Sequence, residues 1–367
     1  MDTFWTSASV KKCIFCVPLF FYFSRAEIHS ISDETALKKN IGQMVIGGFT
    51  GKTYEAATNL HFLLTNCFVG GIIFRQPINI LNKDQFRTMV NTVKSAQTGE
   101  VPLFLCADEE GGKVHFLQER FGYTLTNISA ADLGKINKRL FTRKYYRALA
   151  RTFRSTGLNF NFAPCIDLAV NPENPVIAQL GRSYSHNPEI VLRHARLFMK
   201  AMKKNRILFS IKHYPGHGNT VKDSHHDFID ITETHTEKEL RVFHALLKKS
   251  PAVMTAHLLH RGWDPLLPAS MSAEFQKKHL RHARRYQGLI ISDDIEMKAL
   301  SEKFTIDEIT RTMIQSGTDI ILAGGWQTAV SVCESIYRQV LSGKIPYGDI
   351  DRAAARVRRV KQRHLSR

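Results

Sequence analysis

Short apolar runs recur along the chain, separated by segments of mixed polarity. Eight of them span residues 44–49, 70–74, 103–106, 160–166, 207–211, 252–256, 289–291 and 320–322. Continuous apolar runs of this length are typical of strands that are buried on both faces of a parallel sheet.

Between many of these runs, apolar residues recur at the spacing of an amphipathic helix. The stripes fall within residues 86–93, 191–202, 240–247 and 330–340. Strands that alternate with helices predict an α/β fold, a single (β/α)8 barrel of the TIM type. No linker rich in Gly, Ser or Pro interrupts the pattern, so residues 27–367 are expected to form one domain.

Residues 1–26 differ from the rest of the chain. Lys11 and Lys12 precede an apolar run, 13–23, that is shorter than the ~20 residues a membrane-spanning helix needs. This pattern predicts a signal peptide and an exported protein, periplasmic or secreted, without a membrane span. Pro18 interrupts the run, and a cytoplasmic protein with an N-terminal extension is the alternative.

The formal net charge is +18, which raises the question of a nucleic-acid partner. The basic residues are spread along the chain without a helix-turn-helix, an aromatic-rich RNA motif or a zinc finger, so no nucleic-acid partner is expected. The densest basic segment, 352–367, has apolar residues at helical spacing and predicts a terminal amphipathic helix. No feature of the sequence indicates an oligomeric state.

Four cysteines follow the expected leader, Cys67, Cys106, Cys165 and Cys333. They are widely spaced, and two of them lie in strand-like runs, so buried thiols are expected rather than a zinc ribbon or a disulfide framework. No cofactor or metal is expected.

Polar residues stand at the ends of the predicted strands: Asp108, Asp167, Lys212, His257, Asp293 and Gly324. In a (β/α)8 barrel the carboxyl ends of the strands carry the active site. The segment 212–227 adds to this picture, because it crowds four histidines, two aspartates and two lysines into 16 residues. Such a concentration of titratable groups indicates catalysis or ligand binding.

Three motifs carry a family resemblance. Residues 212–218 read KHYPGHG and residues 223–225 read DSH; residues 108–112 read DEEGG, and residues 292–294 read SDD. Together they resemble the motifs of bacterial β-N-acetylglucosaminidases of glycoside hydrolase family 3. The resemblance extends from about Ile41 to the C-terminus, and it implies the same barrel fold.

Asp293 follows the apolar residues 289–291, so its carboxylate is held at a strand end. A carboxylate fixed in this way can attack an acetal carbon or stabilise an oxocarbenium ion. Asp294 would point to the opposite face by strand alternation. The resemblance likewise implies that Asp293 is the nucleophile.

Glycoside hydrolysis also needs a proton donor. Asp223 lies two residues before His225, and a carboxylate bound to one ring nitrogen leaves the other nitrogen to move a proton. Spacing does not distinguish His225 from His226, whereas the resemblance implies the pair Asp223 and His225.

Asp108, Lys212 and His213 are suited to hydrogen bonds with sugar hydroxyls, and the resemblance implies that Arg182 contacts the same sugar. One position departs from the family pattern, since Phe116 stands where a basic residue is usual. The missing contact could come from elsewhere, with Arg120 as one candidate.

The resemblance implies a retaining exo-β-N-acetylglucosaminidase that hydrolyses peptidoglycan-derived or related amino sugars. Whether phosphate could replace water as the acceptor is left open by the sequence. A metal-dependent hydrolase on the same fold is the main alternative. A sugar-binding module without catalysis is a weaker one. The metal donors would come from a histidine and aspartate cluster: His213, His217, Asp223, His225, His226 and Asp293. Against a metal site, the chain has no helical HExxH motif, and Lys212 would place a cation beside the ion.

Overall fold

The computed structural model describes residues 34–97, 101–220 and 229–365. The expected leader, residues 1–26, lies outside these ranges, as do Asp223 and His225.

A closed barrel of eight parallel strands forms the centre of the molecule. Its strands are β1 (Val45–Gly48), β2 (Gly71–Ile73), β3 (Phe104–Ala107), β4 (Phe160–Asn161), β5 (Leu208–Tyr214), β7 (Ala252–Thr255), β9 (Leu289–Asp294) and β10 (Ile320–Ala323). Their order around the barrel is β1-β10-β9-β7-β5-β4-β3-β2. Each strand falls on one of the predicted apolar runs, so the predicted (β/α)8 barrel is confirmed.

Two features were not predicted. The short strands β6 (Ile229–Asp230) and β8 (Leu258–Leu259) pair in a separate parallel sheet. Strand β5 also continues through Lys212 and His213 to Tyr214, and Pro215, which has no backbone N–H to donate, follows its last residue.

Helices surround the barrel. They are α1 (Glu34–Gln43), α2 (Thr58–Thr65), α3 (Lys83–Ser95), α4 (Ala130–Ile136), α5 (Arg139–Ser155), α6 (Pro188–Lys204), α7 (Glu237–Leu247), α8 (Lys298–Ser301), α9 (Ile306–Ser316), α10 (Trp326–Leu341) and α11 (Tyr347–Leu365). A 3-10 turn (Glu119–Phe121) and a π-helical segment (Glu274–Ala283) complete the list. The four predicted apolar stripes lie on α3, α6, α7 and α10, and the predicted terminal basic helix is α11.

Capping residues fix where several helices begin. The side chain of Asn82 accepts hydrogen bonds from two N–H groups in the first turn of α3. Asn187 caps α6 in the same way, directly before Pro188. Thr236 and Glu239 form a reciprocal capping box at the start of α7.

The barrel interior is filled by apolar side chains that point inward from the strands. The cluster comprises Ile46, Ile73, Phe104, Cys106, Phe160, Phe162, Leu208, Ala252, Met254, Leu289, Ile291, Ile320 and Leu322, together with Val357 and Val360 of α11. Helix α11 therefore closes one end of the barrel, which leaves the other end for the polar residues that follow the strands.

The four described cysteines are buried and free, as expected. Within the described ranges, no helix combines the length and apolar character needed to cross a bilayer.

Candidate active site

Lys212 connects two carboxylates at the carboxyl ends of β3 and β5. Its Nζ lies 2.6 Å from Asp108 Oδ1 and 2.7 Å from Glu110 Oε1. Burial opposes the charge of this lysine, but Asp108 and Glu110 outweigh that effect and raise its pKa. The Asp108 side chain is 37% exposed, whereas Glu110 is buried, so Asp108 is the carboxylate of the pair that solvent reaches.

Arg182 binds the same Glu110 carboxylate. Its Nε lies 2.9 Å from Oε2 and its Nη2 lies 2.8 Å from Oε1, a bidentate pair. Despite burial, the charges of Arg182 and Lys212 hold the pKa of Glu110 well below its usual range. The Arg182 Nη2 also lies 3.1 Å from His213 Nε2. The predicted sugar-binding residues Lys212, His213 and Arg182 therefore converge around one buried carboxylate.

Asp167 orients His213. Its Oδ2 lies 2.7 Å from His213 Nδ1, and the backbone N–H groups of His213 and His217 donate to the same carboxylate. Burial opposes ionisation, but the charge and hydrogen bond of His213 outweigh it and lower the pKa of Asp167 to about 2. His217 is itself buried, and burial together with the neighbouring His213 lowers its pKa to about 4.

Asp293 lies at the end of β9, close enough to three basic side chains for them to affect its ionisation. Burial opposes the charge of its carboxylate, but His213, His257 and Lys212, with a hydrogen bond from the Asp294 N–H, lower its pKa. The resulting carboxylate stays ionised at the strand end.

Asp294 differs from Asp293 in its hydrogen bonds. Its Oδ1 accepts hydrogen bonds from the N–H groups of Glu296 and Gly324, and its carbonyl lies 3.0 Å from His257 Nε2. Burial raises the pKa of Asp294 to about 6. Its side chain therefore ties β9 to the end of β10.

The segment after β3 is built around Glu109, which is fully buried. Its carboxylate accepts hydrogen bonds from the N–H groups of Phe116 and Leu117 and lies 2.9 Å from His115 Nδ1. Phe116 is buried against Phe86, with ring centroids 5.1 Å apart. The position where the family has a basic residue thus contributes to the hydrophobic core.

Arg120, the sequence-based candidate to replace that basic residue, is exposed. Its guanidinium lies over the ring of Phe121, 4.7 Å from the centroid, and 3.4 Å from Gln76. None of the site contacts described above involves it.

Arg75, two residues beyond β2, was not identified from the sequence. Its guanidinium lies near Gly48 and Gly324, at the ends of β1 and β10, where a side chain on Gly324 would collide with both Arg75 and Asp294. Its Nε is buried and has no hydrogen-bond partner among the described residues. A strand-end position is the one sequence signal that could have found it.

The segment that carries Asp223 and His225 is described only up to its two ends. Thr220 is anchored by His217, whose Nδ1 lies 3.0 Å from its hydroxyl, and by Asn174. On the other side, Ile229 pairs with Leu258. Asp223 and His225 themselves lie between these anchors, outside the described residues.

Glu239 of α7 binds the backbone that precedes this segment. Its Oε1 accepts a hydrogen bond from the Gly218 N–H at 2.9 Å, while Oε2 accepts from Thr236. Burial raises the pKa of Glu239 to about 7.

Cys165, Asp167 and His213 place possible metal-ligand atoms within 4.8 Å of one another. These groups already bind each other, since the Cys165 thiol donates to Asp167 Oδ2 at 3.2 Å. Burial and the nearby Asp167 raise the pKa of this thiol, which disfavours the thiolate that a metal requires. Hydrogen bonding accounts for the cluster.

Comparison with known proteins identifies relatives along most of the chain. Residues 36–360 match the glycosyl hydrolase family 3 N terminal domain. The chain is 31% identical to beta-hexosaminidase A of Pseudoalteromonas piscicida, covering 69% of this chain and 45% of that protein. It is 28% identical to beta-hexosaminidase LpqI of Mycobacterium tuberculosis, covering 83% of this chain and 79% of the relative.

Solved structures show the same relationship. A glycoside hydrolase family 3 beta-N-acetylglucosaminidase from Paenibacillus sp. str. FPU-7 superposes with a TM-score of 0.82 at 30% identity, over 89% of this chain and 62% of that one. Zinc-bound CbsA from Thermotoga neapolitana superposes with a TM-score of 0.78 at 26% identity, over 90% of this chain and 69% of that one. The chain therefore spans less than half of the Pseudoalteromonas relative and under two thirds of the Paenibacillus structure.

Proposed function

The chain belongs to glycoside hydrolase family 3, and we propose that it is a retaining exo-acting β-N-acetylglucosaminidase, a β-N-acetylhexosaminidase. The names of the relatives support the activity, because three of the four proteins compared above are called beta-hexosaminidase or beta-N-acetylglucosaminidase. Peptidoglycan-derived or related amino sugars are the proposed substrates, and this part rests on the motif resemblance.

The observation that carries the proposal is the contrast between Asp293 and Asp294. His213, His257 and Lys212 keep Asp293 ionised, whereas Asp294 binds the backbone of β10 and has a raised pKa. In the proposed reaction, Asp293 attacks the anomeric carbon and the leaving oxygen departs with a proton. Water then releases the sugar from the covalent intermediate, with net retention.

Asp223 and His225 supply the proposed proton transfer. His225, oriented by Asp223, protonates the leaving oxygen and later takes a proton from the attacking water. This assignment comes from the sequence motif DSH, because both residues lie outside the described ranges.

Four side chains would hold the sugar. Asp108 is partly exposed and accepts hydrogen bonds, while Lys212, His213 and Arg182 are donors in a buried network anchored by Glu110 and Asp167. Because these donors are already fixed by carboxylates, little conformational entropy would be lost when sugar hydroxyls bind.

Release of nitrophenol from nitrophenyl β-N-acetylglucosaminide tests the activity, with and without exhaustive chelation. Turnover should survive chelation because no proposed step uses a metal. Loss under chelation with recovery on added zinc would instead support the metal-dependent alternative. No turnover of this substrate under either condition would contradict the proposed activity.

The acid/base role has its own test. His225→Ala should slow hydrolysis of a natural disaccharide by on the order of 10²–10⁴-fold. With a nitrophenyl leaving group, formation of the glycosyl-enzyme should be slowed less. A burst of nitrophenol should then precede slow steady-state turnover. Azide should accelerate that turnover. Asp223→Ala should show the same pattern more weakly. If His225→Ala slowed both substrates equally and azide did not accelerate turnover, His226 would become the candidate acid/base.

We also propose that residues 1–26 are a signal peptide that directs export. The mature protein from its native host should then begin near Glu27. An intact N-terminus on that protein would contradict this proposal.

A further inference from the structure

The outer faces of α5 and α6 are strongly basic. Helix α5 contains no acidic residue and six basic ones: Arg139, Arg143, Lys144, Arg147, Arg151 and Arg154. Helix α6 contains one acidic residue, Glu189, and five basic ones: Arg193, Arg196, Lys200, Lys203 and Lys204. The two helices pack side by side, so these eleven side chains form one surface, the α5/α6 basic face.

Helix geometry gathers this charge on the solvent side. At 100° per residue, the six basic residues of α5 fall within an arc of about 140°, and all six are exposed. The opposite side of α5 is buried and includes Tyr146, Leu149 and Phe153. Within the described ranges, no carboxylate forms an ion pair with any of the eleven basic side chains. The face therefore carries uncompensated positive charge.

Lysines in and beside this face are also affected by neighbouring positive charges. Burial and the charge of Arg154 lower the pKa of Lys94 on α3. Burial and the charges of Lys249 and Arg363 lower the pKa of Lys203. Such repulsion destabilises the isolated protein, and a polyanionic partner would relieve it.

Three large apolar side chains accompany the charge at the α4–α5 junction. Ile136 is 41% exposed, Leu140 is 63% exposed and Phe141 is 41% exposed. Leu140 lies near the middle of the basic arc, with Arg147 and Arg151 on the following turns. A polar rim around exposed apolar residues is typical of an interaction surface.

We propose that the α5/α6 basic face docks the protein on an anionic lipid bilayer. The arginines and lysines would bind lipid phosphates, and Leu140 and Phe141 would enter the boundary between headgroups and acyl chains, as in interfacial amphipathic helices. Charge complementarity alone would also suit a nucleic acid. The exposed Leu140 within the basic arc and Phe141 beside it favour the bilayer, because phosphate backbones offer them no apolar environment.

The docked orientation would bring the candidate site close to the membrane. Helix α5 follows β3 in a parallel barrel, so its first turn lies at the carboxyl ends of the strands, where Asp108 and Arg182 also lie. The preceding helix α4 contacts that end directly, since a side chain on Gly134 would collide with the carbonyl of Tyr184. This inference does not depend on the proposed reaction.

Co-sedimentation of the full chain with vesicles tests the docking. Binding should be strong on phosphatidylcholine vesicles that contain phosphatidylglycerol, weak on phosphatidylcholine alone, and reduced by salt. Equal binding to both vesicle types, or binding to neither, would overturn the proposal without any variant.

A charge-matched pair of variants locates the surface. Arg143→Gln, Arg147→Gln and Arg151→Gln together should weaken binding by on the order of 100-fold, from about five-fold for each charge near the lipid surface. The control, Lys277→Gln, Lys344→Gln and Arg359→Gln, removes the same charge from exposed positions elsewhere. It should retain nearly full binding. Equal losses in both triple variants would show that net charge, and not this face, drives binding.

The apolar contribution separates a bilayer from other polyanions. Leu140→Gln with Phe141→Gln should weaken vesicle binding by about ten-fold or more, as apolar contact is lost. The control pair, Leu266→Gln with Tyr347→Gln, alters side chains of similar exposure and should have little effect. If the Leu140→Gln, Phe141→Gln variant bound vesicles as well as the wild type did, and duplex DNA displaced the vesicles, the face would be assigned to nucleic acid. Thermal unfolding of each variant provides the check on folding.

Discussion

Arg182 donates two hydrogen bonds to Glu110, at 2.9 and 2.8 Å, although 72 positions separate the two residues in the chain. The pair joins the segment after β3 to the segment after β4. Lys212 of β5 binds the same carboxylate, so one buried glutamate links its own segment to two further parts of the barrel rim.

Glu110→Gln should therefore affect both stability and binding. Arg182 and Lys212 would lose a buried counter-charge, so the free energy of unfolding should fall by about 3 kcal/mol. The KM for the amino sugar should rise because both cations lose their positions. Denaturant unfolding and steady-state kinetics measure the two effects. As a control, Glu302→Gln removes the exposed partner of Lys298 and should cost less than about 1 kcal/mol.

Asp293→Asn should reduce turnover by roughly 10⁴-fold or more while leaving substrate binding largely intact, because the covalent step is lost. Asp294→Asn is the matched control. Its amide oxygen can still accept the N–H groups of Glu296 and Gly324, so most activity should remain. A fluorinated mechanism-based sugar should label Asp293, and mass spectrometry that finds the label on Asp294 would reverse the assignment.

Arg75→Gln should raise the KM by about 10-fold or more with a smaller change in kcat, since a charged hydrogen bond is worth ~1.5–3 kcal/mol. We expect Arg75 to be a fifth sugar-binding residue, because it lies at the strand ends and its buried Nε has no hydrogen-bond partner among the described residues. Arg120→Gln should leave both constants unchanged. If only Arg120→Gln raised the KM, Arg120 would again be the candidate to replace the family's basic residue.

Glu239 should make stability depend on pH. Burial raises its folded-state pKa to about 7 from 4.5, so the folded protein binds the proton more tightly than the unfolded chain. Its contribution to the free energy of unfolding should therefore fall as pH rises from about 4.5 through about 7, by roughly 3 kcal/mol.

Glu239→Gln should remove that dependence, as measured by denaturant unfolding at several pH values. Glu237→Gln, two residues earlier and exposed, is the control and should keep the wild-type profile. If the free energy of unfolding depended on pH in the same way for the wild type and Glu239→Gln, this carboxyl group would not titrate between about pH 4.5 and 7.

The barrel could be predicted because a strand buried on both faces needs a continuous apolar run. The two-residue strands β6 and β8 have no period to detect. Helix α5 has an apolar stripe, with Tyr146, Leu149 and Phe153 at helical spacing, but it was not predicted. Its many arginines dilute the apolar signal that identified α3, α6, α7 and α10.

Strand-end residues such as Asp108, Lys212 and Asp293 could be predicted because parallel strands in a barrel share one rim. Their pairings could not, since Glu110 and Arg182 meet only after the intervening segment has folded. Glu239 was not singled out from the sequence. Its second bond, to Gly218, depends on how α7 packs under the histidine-rich segment.

Helix α11 determines when the barrel can reach its native packing during synthesis. Arg358 and Lys361 bind Asn40 and Gln43 of α1, each across 318 positions of sequence, and Val357 and Val360 enter the barrel interior. While α11 is still inside the ribosome, Phe104 and its neighbours have no apolar cover at that end. The barrel can therefore reach its native packing only after α11 has emerged, and until then its apolar interior is prone to aggregation.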